Sequence, residues 1–211
     1  MPNSFHGEVL TEAGVAMFPV VSRFPDFYMA GGTALALQIG HRISVDFDLF
    51  SDKDIPRSLL KKVEDACHGF AVQSLVNDKG ELTVLAGGVK FTFLSYSFPL
   101  LESLVEHDGV RLLSVREIAA TKAYTLGRRG AFKDYVDLYF VLTEGHATLP
   151  DIIGMAEKKY GDAFNARLLL EQLLFMDDVP DDAISYTGPS LSRTQIAETL
   201  AKYVQTYRLS A

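Results

Sequence analysis

The chain has a single cysteine, Cys67, among 211 residues, so no disulfide can form within it and the cytoplasm is its expected home. No apolar run is long enough to span a bilayer. The N-terminus has no basic segment leading into an apolar core, so no signal peptide is expected. Positive charge is in deficit, with 20 Lys and Arg against 27 Asp and Glu, a net charge of −7. That excess argues against wrapping nucleic acid over a broad surface, although a local basic groove stays open. Internal repeats and low-complexity tracts are missing. The five histidines, His6, His41, His68, His107 and His146, show no metal-ligand spacing, and there is neither a Walker loop nor a nucleophile elbow. What remains is an ordinary globular composition, 48% hydrophobic and 22% charged, sufficient for a sizeable core in one domain or two small ones.

One stretch, Phe27 to Phe50, reads FYMAGGTALALQIGHRISVDFDLF. A short apolar strand, Phe27 to Ala30, turns through Gly31-Gly32-Thr33 into a helix, Ala34 to Ile39. The chain returns through His41-Arg42 to a second strand, Val45 to Phe50. Glycines without a Cβ let backbone approach a ligand, and Thr33 can cap the helix, leaving N–H groups that suit a phosphate. A plain strand–helix turn explains the same residues. In the second strand Asp46 and Asp48 point one way and Val45, Phe47 and Leu49 the other. Residues two apart on a strand lie roughly 6.5–7 Å apart on one face. Two carboxylates beside a core strand repel each other and need donors or a divalent cation, which can in turn hold a polyphosphate.

Upstream, Val9 to Val21 reads as a helix, with Pro19 placed to end or kink it. Downstream, Pro56 opens a helix to about His68, in which Cys67 reads as a small buried hydrophobe. Three strands follow, Ala71–Val76, Glu81–Ala86 and Val89–Tyr96, with a tight hairpin at Gly87-Gly88. The amino-terminal half is therefore a mixed α/β sheet.

From Ser114 the pattern becomes helical. Ser114-Val115-Arg116-Glu117 reads as a capping box, and Lys122 sits inside an apolar stripe. It is either a lysine snorkelling at the core margin or an ammonium aimed into a cleft, where it could meet phosphate. Arg128-Arg129-Gly130 makes a basic turn before a helix starting at Lys133-Asp134-Tyr135-Val136-Asp137. Asp134 and Asp137 share a face near its N-terminus, where the helix dipole favours carboxylates in any case. Arg128, Arg129 and Lys133 are either solvated surface or a contact for triphosphate or nucleic-acid backbone. Helices at Asp151–Lys159, Ala163–Phe175 and Ser192–Tyr207 complete the chain, with an exposed acidic linker, Asp177 to Asp182, before the last.

These blocks together carry a resemblance. Gly31-Gly32-Thr33-Ala34-Leu35-Ala36-Leu37, then His41-Arg42-x-Ser44-x-Asp46-x-Asp48-Leu49-Phe50, then Lys122, then Lys133-Asp134-Tyr135-Val136-Asp137-Leu138-Tyr139, resemble the AbiEii/AbiGii toxin family of nucleotidyltransferases, a group similar to the MenT toxins. The match spans about residues 25–145 in order.

The resemblance implies an α/β (α+β) nucleotidyltransferase fold of the DNA polymerase beta type with a mixed sheet over residues 1–112. A C-terminal helical bundle over 113–211 would complete the active site. It implies that Gly31, Gly32, Thr33, Arg42 and Ser44 bind the nucleotide and that Asp46 and Asp48 hold Mg2+ (or Mn2+). Lys122 would bind the triphosphate, and Asp134 would act as base or position the acceptor, with Arg128, Arg129, Lys133 and Asp137 as further acceptor or phosphate contacts. A nucleoside monophosphate would pass from an NTP to a tRNA 3′ end or a protein hydroxyl, in a toxin–antitoxin or abortive-infection system with a cognate antitoxin.

Two features depart from nucleotidyltransferases at large. The first motif is Gly-Gly-Thr instead of Gly-Ser, as in the resembled toxins. No third carboxylate faces the pair from Val89–Tyr96, where the candidates are Lys90, Thr92 and Ser95. Either one magnesium suffices or Asp134 makes up the set. The alternatives are a non-catalytic nucleotide-binding module of the same fold, and an interaction domain in which Asp46, Asp48 and Lys122 pair with one another.

Overall fold

Alternation in six residues sets the middle of the sheet. The structure, a computed structural model, describes residues 5–128 and 130–210. Tyr28–Ala30 (β1) and Asp46–Ser51 (β2) pair antiparallel, and in β2 Phe47, Leu49 and Ser51 are buried while Asp46, Asp48 and Phe50 are only partly covered. Val45 lies just outside the strand and is exposed, against the expectation that it shares the buried side. Val72–Asn77 (β3), Glu81–Ala86 (β4), Val89–Ser95 (β5), Val105–His107 (β6) and Val110–Leu112 (β7) complete a seven-stranded sheet of order β3-β4-β5-β2-β1-β7-β6. β2 runs parallel to β5 and β1 parallel to β7, and the other pairs are antiparallel, so the sheet is mixed as expected.

Aromatic rings lock the buried face. Phe47 meets Phe91 edge-on at 5.2 Å, and Phe93 takes Phe24 at 4.9 Å and Phe27 at 5.1 Å. Full burial of such a side chain stabilises by about 1.5–3 kcal/mol, so these rings fix which face of β2 is inward.

Helices Glu12–Val21 (α1), Gly31–Ile39 (α2) and Leu59–Ala66 (α3) accompany the sheet. The first helix starts later than expected. Thr11 caps it through Gly14 N, and Val9 stands in a separate 3₁₀ turn whose carbonyl accepts from Ser44 N at 2.9 Å. Pro19 does not end the helix; α1 runs two residues further, to Val21. Cys67 is buried and burial pushes its thiol pKa up, in keeping with a small hydrophobe.

The Gly87-Gly88 hairpin forms, with φ of +56° and +80° joining Ala86 to Val89. A second turn of the same kind, Asp108-Gly109 at φ +49° and +75°, joins β6 to β7, where no strands were expected. Three-residue strands are too short to show a period, but Asp-Gly is itself a hairpin signal.

The chain divides into two compact units, Met1–Pro99 with Ser103–Ser114, and Leu100–Glu102 with Val115–Ala211. The second holds Val115–Leu126 (α4), Phe132–Thr143 (α5), Leu149–Tyr160 (α6), Ala166–Leu174 (α7) and Arg193–Ser210 (α8). Ala163, expected in the α7 helix, lies in a 3₁₀ turn because Asn165 caps the helix through Leu168 N at 3.0 Å. The acidic linker is tied down: Arg193 reaches Asp181 at 2.6 Å and the carbonyls of Val179 and Met176. Among the described residues no helix is long and apolar enough to cross a membrane.

Glu117, read from sequence as half of a capping box, is wholly buried and holds other groups. One carboxylate oxygen accepts from the backbone N–H groups of Leu101 and Glu102, and the other takes Lys159 Nζ at 2.5 Å. This clip is what makes Leu100–Glu102 part of the helical unit. Lys159→Met leaves the carboxylate without its cation and is expected to lower unfolding free energy by about 3–5 kcal/mol in urea denaturation. Glu117→Gln in the same chain removes the stranded charge and recovers part of that loss.

Candidate active site

Asp48 stands where the first strand becomes a helix. It pairs with Ala30, the last residue of β1, and Gly31 then opens α2 at φ +69°. A Cβ on Gly31 would lie 2.3 Å from Asp48 Oδ2, so only glycine allows this carboxylate its place against the start of α2. The orphan N–H groups of a helix start favour negative charge there.

Thr33 does not cap α2, as the sequence suggested. The helix begins at Gly31 and Thr33 lies within its first turn. Its hydroxyl contacts Ser44 Oγ at 2.7 Å and reaches the Asp46 carbonyl. Arg42 Nη1 donates to the Ile43 carbonyl at 3.1 Å and to Ser44 Oγ at 3.4 Å. Thr33, Arg42 and Ser44 are all buried. They brace the backbone that enters β2 from beneath, a connection that sequence spacing does not display.

Asp46 and Asp48 share the partly open face of β2. Directly opposite them on β5 stand Lys90 and Thr92. Lys90 Nζ lies 2.9 Å from Asp46 Oδ2, with the Asp46 side chain 30% exposed and that of Lys90 42%. Ser95, one of the three candidates expected to face the pair, instead opposes Ser51 on the other parity, and Leu94 takes its place. Sequence reading left Lys90 without a role, because its partner is set by strand register.

In the helical unit α4 and α5 build a second charged cluster. Lys122 Nζ lies 2.5 Å from Asp134 Oδ1 and 2.7 Å from Asp137 Oδ2. Both carboxylates are fully buried and the lysine side chain is 8% exposed, so it does not snorkel. The shared face of Asp134 and Asp137 thus serves a common cation, beyond any effect of the helix dipole. Among the described residues Asp134 Oδ2 is buried without a hydrogen-bond partner. Such an orphan is rare in folded proteins. Next to this cluster, burial pushes the Tyr135 pKa up to about 12.

Of the basic residues, Arg128 is exposed, with its guanidinium 4.2 Å over the Tyr124 ring and a bond to the Ala163 carbonyl at 3.3 Å. Lys133 is half-buried on α5, and Arg129 lies outside the described residues. A cavity of about 630 Å³ in the sheet unit, lined in part by Arg23, Asp26, Ser51 and Lys62, opens at the Ser51 end of β2, away from Asp46.

The family model of the nucleotidyl transferase AbiEii toxin, from type IV toxin–antitoxin systems, matches residues 15–206. The chain belongs to the AbiEii family. It is therefore a nucleotidyltransferase of the toxin class, with a nucleoside triphosphate as substrate and an antitoxin implied as partner. The Aquifex aeolicus protein aq_aa25 is 32% identical over 169 residues, covering 78% of this chain and 80% of that one. Among solved structures, MenT4, a nucleotidyltransferase toxin of Mycobacterium tuberculosis, is similar at TM-score 0.63 and 18% identity, over 90% of this chain and 80% of that one. A Helicobacter pylori protein crystallised as a candidate nucleotidyltransferase is similar at TM-score 0.60 and 19% identity, over 97% and 94%. The expected nucleotidyltransferase fold is borne out.

AbiEii-type nucleotidyltransferases generally use a divalent metal, and the donor set here fits one such ion. Hard carboxylate oxygens suit Mg2+, which is usually bound by one or two carboxylates together with substrate phosphates. Asp46 and Asp48 supply two on one half-open face. Among the described residues no group of three or more His, Cys, Asp or Glu could hold an ion unaided, so the substrate would have to complete the shell.

Two substitutions test this geometry. Gly31→Ala forces an L-residue into left-handed backbone at about 1–2 kcal/mol and pushes Asp48 aside. Calorimetry should show a lower melting temperature, and transfer activity should be lost. Lys122→Met removes the ammonium between two buried carboxylates and is expected to lower unfolding free energy by about 3–5 kcal/mol in denaturant titration.

Proposed function

We propose that this AbiEii protein moves a nucleoside monophosphate from an NTP to an acceptor hydroxyl, at the 3′ end of a tRNA or on a protein, using Mg2+ held by Asp46 and Asp48. The observation that carries this reading is the carboxylate pair on the open face of β2, with Asp48 fitted against Gly31 at the start of α2. The reaction would take place in the cytoplasm, with the toxin restrained by its antitoxin.

The step is an in-line displacement. The acceptor oxygen forms a bond to the α-phosphorus, the bond from that phosphorus to the β-phosphate bridging oxygen breaks, and pyrophosphate leaves. Such chemistry depends on placement and charge neutralisation more than on covalent help. The cation, when bound, supplies neutralisation at the α-phosphate and the leaving group. Asp46 and Asp48 hold and orient it. The amides of Gly31 and Gly32 offer donors to phosphate oxygens. Thr33, Arg42 and Ser44 keep the Asp46 backbone in place. Lys122 exchanges a carboxylate partner for the β- and γ-phosphates, and Asp134 Oδ2, which has no hydrogen-bond partner among the described residues, takes the acceptor proton. Arg128, Arg129 and Lys133 contact the acceptor's phosphates, and Asp137 keeps Lys122 oriented.

The test is label transfer. Protein and magnesium are incubated with each α-labelled ribonucleoside triphosphate in turn and with total tRNA, and RNA and protein are resolved together. Label in RNA that disappears in folded Asp46→Ala and Asp48→Ala supports the tRNA acceptor. Label on protein moves the acceptor to a side-chain hydroxyl. No transfer with any triphosphate, or transfer that survives both substitutions, overturns the reading.

A further inference from the structure

Lys90 occupies a place of consequence for the metal. In the parallel register of β2 and β5 it lies directly across from Asp46, with Thr92 across from Asp48 and Leu94 across from Phe50. A two-ion site has cations about 3.5–4 Å apart and needs ligands for both. β5 faces the pair with positions 90, 92 and 94, where it could supply a further carboxylate to such a site. It supplies an ammonium instead, 2.9 Å from Asp46 Oδ2. Thr92 is neutral and Leu94 has no donor atoms. Asp46, Asp48 and Lys90 sum to one negative charge, enough to attract one divalent cation and too little to hold two.

We infer that the site binds a single divalent cation and that Lys90 serves as its built-in second positive charge. This rests on the reading that Asp46 and Asp48 are the metal ligands. Without nucleotide, Lys90 neutralises Asp46 and competes with the ion for Oδ2. When the ion takes that carboxylate, the ammonium is released as a point charge for the incoming phosphates. At 42% exposure the released ammonium has solvent to enter, which a buried lysine would lack. Lys90 is thus a positioning residue for the metal, acting through Asp46.

Manganese titration of the full chain without nucleotide, followed by the paramagnetic resonance of free Mn2+, tests this. The wild type should bind one Mn2+ per chain, and Asp46→Ala and Asp48→Ala should lose it. Lys90→Met should bind the ion about two- to five-fold tighter, the scale of an exposed ion pair removed as competitor. Lys90→Arg, which keeps the charge, should retain wild-type affinity. Lys90→Glu, which adds the missing carboxylate, should bind two Mn2+. If the wild type binds one ion but Lys90→Met binds equally well or more weakly, the competition is wrong while the metal reading stands. Two ions on the wild type also overturn the inference. No binding to the wild type, or binding that survives both aspartate substitutions, overturns the metal reading and the inference with it.

Discussion

A slip of one residue in β2 would put Asp46 and Asp48 into the core and Phe47 and Leu49 into solvent. Everything else in the sheet unit depends on preventing that. The strand is held from both sides, antiparallel to β1 and parallel to β5, and its register is fixed by ring contacts between Phe47 and Phe91. Side-chain period on a strand is two, so register and inward face are one choice. The same register delivers Lys90 to Asp46 and Ala30 to Asp48, so packing on one face determines electrostatics on the other.

The helical unit buries charge in two places. Glu117 has a partner for each oxygen: two backbone N–H groups on one and Lys159 on the other. A fully satisfied buried charge rigidifies its surroundings. In the Lys122 cluster the ammonium lies between Asp134 and Asp137, and one oxygen of Asp134 has no hydrogen-bond partner among the described residues.

Much of this was legible in the sequence because it is local. Alternation in β2, the Gly87-Gly88 turn and the 3.6-residue stripes of the later helices each fit within a few residues, and the ordered motif blocks led to the family. What escaped depends on non-local pairing. Thr33 looks like a cap until Ser44 and Asp46 are seen above it. Glu117 looks like half of a capping box until Lys159, forty-two residues later, is brought to it. Arg193 gives no sign that it will hold the linker, and Lys90 none that it will meet Asp46. The strands β6 and β7 were missed for another reason, since each is three residues long and only the Asp-Gly between them announces the hairpin.

The clip at Glu117 also governs how the protein can be dissected. Leu100–Glu102 belongs with the helices although Ser103–Ser114 returns to the sheet unit and supplies β6 and β7. The polypeptide therefore passes between units more than once, and no single cut yields two intact halves. A fragment ending at residue 112 carries away the two amides that Glu117 holds. A fragment beginning at 113 keeps Glu117 and Lys159 but loses those amides. The two units are separable as bodies of contacts but not as stretches of gene.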